Sequence, residues 1–151
     1  MREFYTTIDF LKSLLQEDIN VHTVLHGLKS TMDINKKNIF PIAHIQVTNS
    51  TIQSGYVGFT FEVVAVDLRN ISKQMVTDKW LGNDNELDNL NTTHAILNRL
   101  LTKLRNTRND FKIELNNEPN LQPIIFEETN LLDGWRTEIE LIIPNTEINV
   151  C

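Results

Sequence analysis

The chain has 151 residues, 40% of them apolar and 23% charged, and 14 basic against 20 acidic side chains give a formal net charge of −6. That size fits one domain able to bury a core, and the composition points away from disorder and from membrane insertion. A chain of negative sign repels phosphate backbones unless it gathers its basic residues into one patch, and a single cysteine, Cys151, leaves no internal disulfide or multi-cysteine zinc site.

From the N-terminus, Met1-Arg2-Glu3-Phe4-Tyr5 carries an acid and no signal-like apolar core, and no later apolar run reaches the roughly 18 to 20 residues of a membrane span. Synthesis in a cytoplasm, with no membrane partner, is expected. Ile8, Leu11, Leu14 and Leu15 recur at helical spacing, so Thr7 to Gln16 is expected to form a short amphipathic helix capped by Thr6 or Thr7. Ile19 to Gly27 mixes β-branched residues with partial alternation and ends on glycine, the pattern of a strand closing in a turn. The polar, basic stretch 28–38 reads as a loop.

Pro41 fixes φ and lacks an N–H, which suits a strand start or an edge, and a strand follows from Ile42 to Ile52. Gln53-Ser54-Gly55 turns it into a partner strand, Tyr56 to Leu68. There Phe59, Phe61, Val63 and Ala65 project to one face, and Thr60, Glu62, Val64, Val66 and Leu68 to the other. Apolar residues on both faces near Val63 to Val66 predict a central strand or one that reaches an interface.

The connection from Asn70 to Glu86 is long and polar, yet it carries Met75, Val76, Trp80 and Leu81. Loops of that length usually serve a function, and methionine and aromatic residues are enriched at interface cores. These four are therefore candidate interface residues, with folding back over their own sheet as the alternative. Leu87, Leu90, His94, Leu97, Leu101 and Leu104 then recur in three- and four-residue steps, widened by Ile96 and Leu100, and predict the main helix. Asp84, Glu86 and Asp88 at its start complement the helix dipole and read as capping.

Three β-like runs close the chain: Phe111 to Leu115, Ile124 to Thr129 and Trp135 to Ile143. The last alternates Thr137, Ile139, Leu141 and Ile143 against Glu138 and Glu140, and Pro144 ends it. Asp133-Gly134 before it reads as a turn. The sum is one α+β domain over 1–151: a largely antiparallel sheet with a long β-hairpin, packed against an N-terminal helix and one main amphipathic helix.

Side chains that carry chemistry are sparse. His22 and His26 are four apart, but no third ligand stands beside them; His44 lies within a strand and His94 on the helical stripe, where each reads as structural. The acid run Asp84 to Asp88 lacks the glycine and terminal glutamate placement of a calcium loop. Neither Glu127-Glu128 nor Glu138 with Glu140 has a setting that would separate two carboxyl pKa values. The five glycines form no phosphate-cradling loop, and no serine has a nucleophile's surroundings. Lys36-Lys37 and the series Arg99, Lys103, Arg105 and Arg108 read as solvated basic residues. No catalytic residue, cofactor or metal is expected. The alternative is a small ligand- or metal-binding regulatory module using His22 and His26.

In order, the elements resemble the tail-terminator and neck-ring proteins of tailed bacteriophages. The resemblance is carried by the short N-terminal helix, the strand opening Phe40-Pro41-Ile42-Ala43-His44-Ile45, the long hairpin, the helix from Leu87 to Leu104 and the tryptophan-led closing strand Trp135-Arg136-Thr137-Glu138-Ile139-Glu140-Leu141. It covers Thr7 to Pro144. What it implies is a non-catalytic virion subunit that closes into a homomeric ring, commonly a hexamer, at the head–tail junction. Such a ring caps the tail tube, meets connector, stopper and tail-tube proteins, and lets double-stranded DNA pass without sequence-specific binding. An acidic channel wall would suit that passage.

Overall fold

The computed structural model describes residues 2–27, 40–69, 85–106, 109–127 and 132–145. Its elements are helix α1 (Arg2–Gln16), strands β1 (Thr23–His26), β2 (Ile42–Gln53) and β3 (Tyr56–Leu68), helix α2 (Glu86–Asn106), and strands β4 (Glu114–Leu115), β5 (Leu121–Glu127) and β6 (Leu132–Pro144). The protein is α+β. Its six strands form one sheet in the order β1-β2-β3-β6-β4, with β5 also on β6; every pairing is antiparallel except β1 with β2.

Strand β3 is central, as its two apolar faces predict, because it lies between β2 and β6 from Tyr56 to Val66. One face of the sheet carries both helices. There Val57, Phe59, Phe61, Val63 and Ala65 of β3 join Ile139, Leu141 and Ile143 of β6, Leu11, Leu14 and Leu15 of α1, and Ile96, Leu97, Leu100 and Leu104 of α2. Each large side chain buried there contributes about 1.5–3 kcal/mol relative to exposure. On the outer face a smaller cluster, Ile42, Val64, Val66 and Leu132, gathers near the other end of the strands.

Helix α1 begins at Arg2, earlier than the expected Thr7, because Phe4 extends the apolar stripe and stacks edge-on against Phe59 at 5.5 Å. Thr7 is consequently no cap. It is buried within the helix, and its hydroxyl donates to the Glu3 carbonyl at 2.7 Å. In α2 the buried stripe is Asn89, Thr93, Ile96, Leu97, Leu100 and Leu104; Leu87 and His94, assigned to it from spacing, are exposed. Two polar residues win because each finds a partner: Thr93 Oγ1 donates to the Asn89 carbonyl at 2.6 Å and Asn89 Nδ2 to the Leu68 carbonyl at 3.1 Å.

Asp133-Gly134 is not a turn. Both residues lie inside β6, and a Cβ on Gly134 would stand 1.9 Å from the Ala65 carbonyl oxygen. Glycine is required there by the close approach of the β3 backbone. The turn assignment fails because the same dipeptide serves tight turns and close backbone contacts. Other boundaries move: β1 is confined to Thr23–His26, strand structure near Phe111 is confined to β4, with Phe111 itself half exposed, and β5 and β6 each start three residues before the expected Ile124 and Trp135.

Candidate assembly surfaces

The two margins of the sheet differ in how their backbone groups are used. On the first, β1 pairs with only Ile42–Ile45 of β2, and among the described residues no strand lies outside Gln46–Gln53. The hairpin turns at Ser54-Gly55, where Gly55 supplies a φ of 88°, and Asn145 N–H donates to the Gly55 carbonyl at 3.0 Å. Residues 47–56 are all exposed, whereas Val57 to Phe59 opposite them are buried under the neighbouring strand and α1. Among the described residues, the hairpin is an arm with no strand on one of its sides.

At the second margin, β4 and β5 pair with β6 as one interrupted strand. From Leu115 opposite Leu141 to Leu121 opposite Thr137, six steps on one side meet four on the other. The excess bulges out as Asn116 to Asn120, and Asn117 takes over the missing ladder: its Nδ2 donates to the Glu138 carbonyl at 3.0 Å and its Oδ1 accepts from Glu140 N–H at 3.0 Å. Asn116 N–H adds a bond to the Glu140 carbonyl at 2.8 Å. A polar cleft of about 460 Å³ opens beside the bulge, lined by Glu62, Glu118, Gln122, Arg136 and Glu138 among others. Pro119 and Pro123 remove two donors from this margin.

Opposite the arm, a buried polar cluster fixes where β3 leaves the sheet. Arg69 clamps the fully buried Asp133 through Nε and Nη2 at 2.8 and 2.7 Å and reaches Glu86 at 3.0 Å. Asn85 and Asn89 both donate to the Leu68 carbonyl. Residues 69 and 85–86 are thereby held side by side. Glu86, expected as a dipole-complementing acid, thus also ties the helix start to the sheet. Asp67 next to this cluster has its carboxyl held above the usual range, chiefly by burial, against the lowering effects of the Leu68 N–H and of His22, with the Asp133 charge adding to the rise.

A second ion pair joins α2 to the turn that follows α1. Arg99 Nε and Nη2 donate to Asp18 at 2.7 and 2.9 Å. Burial pushes the Asp18 carboxyl up, but the bonds from Arg99 and the Asn20 N–H, with the charges of Arg99 and Lys103, outweigh it and hold the group below the usual range. The same bonds raise the Arg99 guanidinium.

Of the residues singled out by sequence, Met75, Val76, Trp80 and Leu81 lie outside the described residues, as do Lys36, Lys37 and Asp84. His22 and His26 are exposed, and no group of three or more His, Cys, Asp or Glu that could hold a metal ion occurs among the described residues. His44 is fully buried in β2; His94 is exposed and stands edge-on to Trp135 at 5.3 Å, whose indole donates to the Leu90 carbonyl at 2.9 Å. Glu140 accepts from Asn116 at 3.1 Å on the outer face. The free margin of β2 was missed, although its signal was present in the sequence: Gln46 to Gln53 contains no charged residue. Compared with known proteins, the chain matches no family model and no curated protein.

Proposed function

We propose that this protein is a non-catalytic structural subunit that works by self-association, forming a homomeric ring at the head–tail junction of a tailed bacteriophage as a tail terminator or neck protein. The observation that carries the self-association is the β2–β3 arm, whose exposed half presents an uncharged strand margin that is unpaired among the described residues. An unpaired margin offers a row of backbone donors and acceptors to another chain. The phage setting rests on the resemblance in element order, and the negative net charge suits a channel that DNA traverses without adhering.

A ring closed by rotation needs two different surfaces on each subunit. The arm at one side and the bulged, cleft-bearing margin at the other are two such surfaces, and their chemistry differs. Negative-stain imaging of the purified protein, alone and with tail-tube and connector proteins, tests the reading. Closed rings, or caps on the ends of tubes, are expected. A chain that forms no ring and binds neither partner contradicts it.

A further inference from the structure

Strand margins in folded proteins are usually blunted by lysine, proline or charged side chains, because an open one pairs with whatever strand it meets. Gln46–Gln53 carries none of these in a chain that is 23% charged. Instead the segment reads Gln-Val-Thr-Asn-Ser-Thr-Ile-Gln, which is close to its own reverse in side-chain chemistry. Laid antiparallel on itself with Thr48 left out as the bulged residue, it places Gln46 opposite Gln53, Val47 opposite Ile52, Asn49 opposite Thr51 and Ser50 opposite Ser50. Paired β-branched residues and paired hydroxyl side chains are favourable cross-strand neighbours.

The bulge makes that register possible. Residues opposite one another in an antiparallel pair share a face, and in an unbroken strand Val47 and Ile52, five apart, would point to opposite faces. Here the ladder slips between Val47 and Asn49, so that Val47 lies opposite Phe61 and Ile52 opposite Val57, both on the helix-bearing face. Gln46, opposite Glu62, and Gln53, opposite Tyr56, share the other face. A two-fold axis normal to the sheet therefore brings Val47 onto Ile52 and Gln46 onto Gln53 with faces matched. Asn49, opposite Thr60, and Thr51, opposite Gly58, also share a face, and Ser50 meets its own copy at the axis. Ile52 is 75% exposed and Val47 36%, so two aliphatic pairs leave water when the margins meet.

We propose that Gln46–Gln53 is a self-recognition margin that pairs antiparallel, about a two-fold axis, with the same segment of a second copy of this chain. This goes beyond the ring: a two-fold contact joins subunits in pairs and does not itself close a rotational assembly. The opposite margin, with two prolines and a side chain in place of backbone, does not offer the same template.

The test uses the full chain with Cys151→Ser to leave no native thiol. In the Val47→Cys/Ile52→Cys variant, residue 47 of each copy faces residue 52 of the other within disulfide reach, whereas identical residues lie four ladder steps, about 13 Å, apart. Mild oxidation should give a cross-linked dimer with the double variant and not with either single variant. Equal cross-linking of all three, or of none, overturns the proposal. A second variant, Thr51→Lys/Ile52→Lys, places charge on two exposed side chains; its melting temperature should match wild type while light scattering shows the 17.5 kDa monomer in place of a dimer. Association unchanged by the lysines overturns the proposal. Rings formed unchanged by that variant overturn it while leaving the ring reading intact. Cross-linked pairs without any ring sustain it while removing the ring.

Discussion

Along β6 the protein breaks its own ladder, fills the gap with Asn117 and sets two prolines nearby; along the outer half of β2 it sets eight residues without a charge or a proline, and among the described residues no strand lies on their outer side. Both margins belong to one sheet with one core, so packing does not explain the difference. A margin interrupted by a side chain and by prolines is a poor template for another strand, and an uninterrupted, uncharged one is a good template. The comparison separates the residues that hold the fold from those free to meet a partner.

The largest effect should come from the closed end of the sheet. Gly134→Ala drives a Cβ into the Ala65 carbonyl, which is backbone and cannot yield, so a loss of more than about 3 kcal/mol in urea unfolding is expected. Gly58→Ala, whose nearest neighbour is the movable Glu140 carboxylate at 3.3 Å, should cost under about 1 kcal/mol. Equal losses at the two glycines would break the argument for close backbone approach.

Asp133→Ala should follow, at about 3–5 kcal/mol, because it leaves the Arg69 guanidinium buried with much of its pairing removed. On the interrupted margin, Asn117→Ala removes two bonds to β6 and should cost about 1–2 kcal/mol, with faster amide exchange at Glu140. A loss near zero would mean that the bulge does not depend on its asparagine.

The smallest effect is electrostatic and depends on pH. The Asp67 carboxyl is raised in the folded state, so its contribution is present at low pH and is lost as pH rises through the folded value. Asp67→Asn keeps an oxygen for the Leu68 N–H and should melt slightly higher than wild type at pH 7, with the gain vanishing in acid. Asp18 has the opposite sign: held low by Arg99, it stabilises above the unfolded value and loses that contribution as pH falls through the folded one.

Much of this architecture was legible because periodicity reports burial. The β2–β3 hairpin, the α2 segment and the alternation of β6 all follow from spacing, and β3 occupies the residues Tyr56–Leu68 that alternation predicted. What spacing did not reveal depends on partners distant in the chain. Asn89 and Thr93 displace Leu87 and His94 from the buried stripe because Leu68 and the helix backbone accept their bonds. Gly134 is required by β3, 68 positions earlier at Val66, and no local pattern carries that information. Of the candidate surface, the sequence carried the missing charge in Gln46–Gln53, but only the slip at Val47–Asn49 shows that Val47 and Ile52 share a face.

Amide hydrogen exchange of the two margins as a function of protein concentration tests the central claim most directly. Peptides covering Gln46–Gln53 should gain protection as concentration rises, while those covering Leu121–Glu127 should not gain it through the same contact. Exchange in Gln46–Gln53 that is fast and identical at every concentration would contradict it.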